Sequence, residues 1–357
     1  MTNMKIATFS LIVGFWALSL AGAPSSKLIA PARAYMVCPE GPPACSFSKI
    51  QAAIDAVPEG ATIVIKAGLY EENLLIRKSL SLQAIEGENV VVKSATESVP
   101  TLLIVSGRPI QVNVTGLTIL PAQEHQGNGI EIMGTVAAHL GRNTIQGYQD
   151  GILVLGKAEG LSSSRLTLII SENVIRDNKT GVVVWQSTGV TISKNMIQDN
   201  KAPGGVGGII LGNSQSIMVS DNHIQDNSGY GVGVLQSEAI QIRGNSIKTN
   251  LLGILVGGSQ AELLNNQVEQ NGVGVATAAD GSVDSKVSLI GNRITHQENY
   301  GLAVERLDQV TICRQNNIRE NQQGDYLVQS PLFSLQPRRD PQAVSYTHLT
   351  LPTNREV

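Results

Sequence analysis

Charge is scarce in this chain. Lys, Arg, Asp and Glu together make up 15% of the 357 residues, and the formal net charge is −3. A surface so poor in basic residues has no electrostatic footprint for a nucleic-acid backbone. Aromatic residues are few, at 4%, whereas glycine reaches 36 residues. Such a composition disfavours helices packed through large side chains and favours short strands of β-branched residues joined by tight turns. After the N-terminal segment there is no long apolar run, so nothing later in the chain is suited to span a bilayer. Cysteine is scarce too: there are three, and no His or Cys partner stands at metal-ligand spacing from them.

The two ends of the chain read differently from its body. Lys5 precedes the apolar run "IATFSLIVGFWALSLAGA", and Ala32-Arg33-Ala34 fits the small-x-small pattern of a signal-peptidase site. Residues 1–34 are therefore expected to be a secretory signal, with the mature chain starting near Tyr35. An uncleaved anchor is the alternative, and either way the body is secreted or periplasmic. In that oxidising compartment Cys38 and Cys45, close together in "CPEGPPAC", are expected to form a disulfide, which leaves Cys313 over. At the other end "VSYTHLTLPT" is what one reading frame of a transposon-based sequencing adaptor encodes. Val344–Val357 is expected to be adaptor read-through, preceded by a linker or truncated C-terminus at 331–343.

Between these ends one phrase recurs, Asn-x-Ile/Val-x-x-Asn, as in "NVIRDN", "NMIQDN" and "NHIQDN". Its first Asn falls at 143, 173, 195, 222, 245, 266, 292 and 316. Repeats at such intervals mark a solenoid. Between copies stand Gly-hydrophobic-x-Val strings ("GILV", "GVVV", "GVGV") and alternating strings ("VTIS", "IMVS", "IQIR"). The period of two excludes amphipathic helices, which need apolar residues at i, i+3, i+4 and i+7. Three short strands per repeat predict an all-β parallel β-helix over residues 61–330.

Coils about 4.8 Å apart place like residues above like. One buried column is expected from Ile175 through Ile197, Ile224, Ile247, Val268 and Ile294 to Ile318. A second runs from Ile170 through Ile192, Val219, Ile242 and Leu263 to Leu289. Asn178, Asn200, Asn227, Asn250, Asn271 and Asn321 should form a ladder. Gly147 is placed in that column, which suggests a turn with positive φ, and Asn299 is expected to rejoin the ladder late. Ser187, Ser214, Ser237 and Ser259 look like a further stack. Residues 35–60 should hold the disulfide loop and a capping helix, with Ser48 and Gln51 as a capping box and Ile50, Ala53, Ile54 and Val57 as the buried face.

A capping helix, then "GATIVIKAGLYEENLLIRKSLSL", then Asn-x-Ile coils resembles the secreted right-handed parallel β-helix proteins of the pectin-lyase-like superfamily, and in particular the NosD-type periplasmic β-helix repeat proteins. The resemblance covers residues 38–330. It implies a single-stranded right-handed parallel β-helix, and a polysaccharide or cell-envelope component as partner to a monomeric, exported protein. It is specific for the scaffold and not for chemistry. The polygalacturonase, epimerase (Asp-Pro-His-Glu) and pectate-lyase signatures are missing. "GYQD" and "GLYEE" match a methylesterase only locally.

Some columns could carry chemistry. Asp177, Asp199 and Asp226 stand before the ladder Asn in consecutive coils, with Glu298 and Glu320 in later ones. Stacked carboxylates repel unless compensated, and Ca²⁺ would compensate them. A calcium-assisted lyase acting on an acidic polysaccharide would also need a base, for which Arg176 and Lys248 are the candidates. Trp185, Tyr230 and Tyr300 are the candidates for stacking on sugar rings. His125, His139, His223 and His296 show no pairing in the sequence. The alternative is a non-catalytic, NosD-like envelope accessory or scaffold protein.

Overall fold

A computed structural model describes residues 34–156, 167–201, 206–279, 284–306, 309–312 and 315–328. The secretory-signal reading (apart from Ala34), Cys313 and the adaptor segment lie outside the described residues. The chain forms a right-handed parallel β-helix with three faces. One coil shows the plan: strands Leu168–Ser171, Val174–Arg176 and Thr180–Trp185 lie on successive faces. Each pairs in parallel with its counterpart in the next coil, at Val190–Ser193, Met196–Gln198 and Ile209–Gly212. The longer strands Leu102–Thr115 and Asn128–Gly141 run unbroken across two faces. They join those faces into one 21-stranded sheet, while the third face is an 11-stranded sheet.

Alternation decides what is inside. Both expected apolar columns are in register and buried, apart from Ile318, which is half-buried at the C-terminal end. Their stacked branched side chains fill a continuous core. At about 25 cal/mol per Å² of apolar surface removed from water, that core is the main stabilising term.

The repeated phrase turns out to do something other than form turns. The left-handed residue is the one before each Asn: Arg142, Glu172, Lys194 and Asp221 before the first, and Asp177, Asp199, Asp226 and Thr249 before the second. Each bend turns the following Asn into the interior, where both Asn sets are buried apart from Asn316, which is half-buried. Asn195 shows the pattern: its backbone N–H and its Nδ2 both donate to Asn222 Oδ1, at 2.9 and 3.0 Å. The amides thus satisfy the backbone groups that each corner leaves unpaired. Gly147 stacks on Asp177, not on Asn178, because Gln146 pairs with Arg176; the ladder position in that coil is Tyr148. A one-residue slip in aligning "NTIQGY" with "NVIRDN" explains the wrong placement of the positive φ. Nor does Asn299 join the ladder. Gln297 fills it, accepting from Asn271 at 2.8 and 3.1 Å. The serine stack forms as expected, the hydroxyls of Ser214, Ser237 and Ser259 each accepting from the backbone N–H of the serine one coil earlier.

The N-terminal end is covered. Strand Ala34–Val37 pairs with Ala61–Ile65, so the first rung precedes the helix. The Cys38–Cys45 disulfide closes the loop that follows. Helix Ile50–Ala56 buries Ile50, Ala53 and Ile54 against the first strands, and Val57 behind it is buried as well. Its start is not a capping box. The Glu72 carboxylate accepts from Ile50 N at 2.8 Å and Gln51 N at 3.0 Å. Gln51 instead ties the helix to Leu75, accepting its N–H at 2.8 Å. A carboxylate from another coil satisfies the free amides and the helix dipole, which is why the local pattern misled.

Candidate functional site

The corner between the 11-stranded face and the next face carries Asp177, Asp199 and Lys201. There the connection 121–127, longer than 177–179 in a later coil, stands out as a wall. It bounds an open groove of ≈ 530 Å³ lined by Lys93, Glu124, His125, Asp177, Asp199 and Lys201, among others. Two of the three expected aspartates therefore share one groove with three basic side chains. The lysines and His125 were not singled out in the sequence, because it offers no signal for which loop bends over which coil.

Each aspartate has its own partner. Arg176 Nη1 reaches Asp177 Oδ2 at 3.0 Å, and Lys201 Nζ lies 4.0 Å from Asp199 Oδ1. Thr249 Oγ1 donates to Asp226 Oδ1 at 2.6 Å. Among the described residues no three His, Cys, Asp or Glu side chains come together as a metal site.

The expected bases are separated. Arg176 and Lys248 share one outward column, but Gln198 and Gln225 stand between them. That is about 14 Å along the axis. Lys248 is held by Glu269 at 3.3 Å, and Arg293 reaches the same carboxylate at 2.7 Å. Burial pushes the Glu269 carboxyl up, but hydrogen bonds from Arg293 and Lys248 outweigh it and hold the group below the usual range. Of the histidines, His296 pairs with Glu320 at 3.1 Å and His139 with Ser171 Oγ at 2.9 Å.

The aromatics lie on another face. Trp185 points outward, as the alternation with Val182 and Val184 requires, and is half-buried. Its ring lies over Gly212 of the next coil, where a Cβ would come 2.0 Å from a ring carbon. Tyr230 packs over Gly233 and joins an outer apolar cluster with Leu252, Leu255, Val273 and Ala276. Its pKa is raised by burial. Tyr230 is thus committed to packing. Tyr300 stands three coils further on, about 14 Å away, so the two tyrosines do not form one platform.

One further group stands out next to the groove. Asp150, three residues after the groove-lining Gly147, is only 3% exposed, and its Oδ1 has no hydrogen-bond partner. Burial pushes its carboxyl up to about 6; a hydrogen bond from Thr180 opposes this, and the Glu131 charge adds to it. Its side chain follows the inward alternation of Ile152 and Val154, away from the groove's lining. Its only sign in the sequence is an acidic residue opening a strand that is otherwise apolar.

Residues 128–285 match the protein family described as "Right handed beta helix region". No curated protein sequence matches the chain. Among solved structures the chain is similar to the A-module of the mannuronan C-5 epimerase AlgE4 of Azotobacter vinelandii. The TM-score is 0.57 at 17% identity, over 79% of this chain and 93% of that one. It is also similar to an alginate lyase from Paenibacillus sp. str. FPU-7, with a TM-score of 0.52 at 14% identity, over 78% and 94%. At these identities the likeness is one of fold, a right-handed parallel β-helix.

Proposed function

We propose that this is an exported β-helix protein that binds an acidic polysaccharide along its coil surface. One observation carries the reading: a groove crosses successive coils and sets Lys93, His125 and Lys201 beside Asp177 and Asp199. A polymer that repeats along its length suits a surface that repeats along its axis. Uronate carboxylates leaving water need cationic hydrogen-bond donors, and the lysines supply them. The fold shared with an alginate epimerase module and an alginate lyase supports the same substrate class. The calcium-assisted lyase is one arm of the assay. The accessory-protein alternative is favoured by the pairing of Arg176 with Asp177 and of Lys248 with Glu269, which leaves neither base free.

The test is binding of pectate and alginate oligomers, followed by product analysis with and without Ca²⁺. Binding should weaken with added salt and in Lys201→Ala. A folded protein that binds no uronate polymer refutes the proposal. Unsaturated product that requires Ca²⁺ and vanishes in Asp199→Ala would establish a lyase. New reducing ends alone would mean hydrolysis. Binding without product would select the accessory role.

A further inference from the structure

We infer that in the coil holding Asn317–Arg319 and Gly324–Val328 Asp325 closes an asparagine ladder and blocks a second copy of this chain from stacking a regular coil on it. The inference begins with a column of glycines at the start of one face. A Cβ on Gly151 would lie 2.7 Å from Gly181 O and 2.9 Å from Ile175 of the next coil. On Gly253 it would lie 2.5 Å from Gly274 O, and on Gly274 2.5 Å from Gly301 O. None of these glycines has positive φ, so close packing from the coil above is what excludes a side chain. Gly301 obeys the same rule: its Cβ would lie 2.9 Å from Asp325 O and 2.6 Å from Asn321 Nδ2.

At the next rung the column changes. Tyr300 pairs with Gly324 and Leu302 with Tyr326, which places Asp325 over Gly301. A side chain there occupies the space that another coil would need. It also replaces what that coil would supply. In earlier coils the ladder amide donates to the oxygen of the next rung, as Asn250 Nδ2 does to Asn271 Oδ1 at 3.0 Å and Asn271 Nδ2 to Gln297 Oε1 at 3.1 Å. Asn321 Nδ2 donates instead to Asp325 Oδ1 of its own coil, at 2.8 Å. Tyr326 follows the same logic. It ends a column of buried aliphatic residues, is 53% exposed, and offers an apolar ring with a polar tip. An unguarded solenoid end presents strand edges to any other chain, and an obstructing charged residue is one way to guard it.

The experiment separates blocking from capping by using two substitutions in the full chain. Asp325→Gly removes both the obstacle and the acceptor; Asp325→Ala removes only the acceptor. The glycine variant should show concentration-dependent association in sedimentation velocity beyond anything seen for the wild type. The alanine variant should sediment like the wild type, with faster amide exchange across residues 315–328. If the glycine variant does not fold, the exchange result for alanine decides. The inference is overturned if alanine leaves exchange unchanged, if alanine associates as glycine does, or if a folded glycine variant sediments like the wild type.

Discussion

Replacing Asn222 by alanine tests the ladder directly. Asn222 is 1% exposed. Its Oδ1 accepts two bonds, from Asn195 N at 2.9 Å and Asn195 Nδ2 at 3.0 Å. Its Nδ2 donates to Ile192 O at 2.9 Å and to Asn245 Oδ1 at 3.0 Å. Alanine strands the backbone N–H of Asn195 and removes a donor from the Ile192 carbonyl, while Asn195 Nδ2 keeps its bonds to Ile170 O and Ser193 O. A buried polar group left unpaired costs about 1–3 kcal/mol. Two such groups give a loss of about 2–4 kcal/mol after partial relaxation. Stacked coils couple mainly to their neighbours, so the damage should be local as well as global. Denaturant unfolding measures the total, with Ser246→Ala, on the outward side of the next coil, as a control expected to change little. Amide exchange then localises it: the Asn195 N–H, deprived of its acceptor, should exchange faster, while amides of residues 61–93 keep their protection. A loss below about 1 kcal/mol with unchanged Asn195 exchange would refute the claim that the asparagines hold the corners together.

Asp150→Asn should flatten the pH dependence of stability. With its carboxyl raised from 3.8 to about 6 in the folded state, wild-type stability is greatest below the unfolded value and falls between pH 3.8 and about 6. Above that the variant should be the more stable, by up to about 3 kcal/mol from a shift of roughly two units; thermal melts across this range would show the opposite slope if Asp150 were stabilised as a carboxylate. Gly212→Ala should drive the Trp185 ring off the sheet, shifting its emission and costing about 1–3 kcal/mol. Trp185 is the only tryptophan after residue 16, so in a chain beginning at Tyr35 the tryptophan emission has one source; an unchanged spectrum would contradict the contact. Cys38→Ser should lower stability by about 2.5 kcal/mol, the entropy of closing so short a loop, and reductant should act on the wild type but not on the variant.

The sequence by itself determined the scaffold. A period of two in strings such as "VTIS" and "IQIR" sets which side chains face inward, and the recurrence of Asn-x-Ile sets what stacks on what. Both are local signals repeated many times, so errors in one copy are corrected by the others. The disulfide was legible for a similar reason, since two cysteines seven residues apart have little freedom in where they meet. Where copies are few or irregular, the reading slipped. "NTIQGY" lost a residue of register, and "NRITHQ" hid Gln297 behind an amide one carbon longer. Only the tertiary structure decided the cap on the helix, because Glu72 arrives from another coil, and the composition of the groove, because the connection 121–127 bends over coils distant in sequence. It also decided that Asp177, Asp199 and Asp226 remain separate. Stacking fixes the spacing of backbones, but an outward side chain takes the partner nearest to it, and that partner depends on the neighbouring coil and not on the repeat.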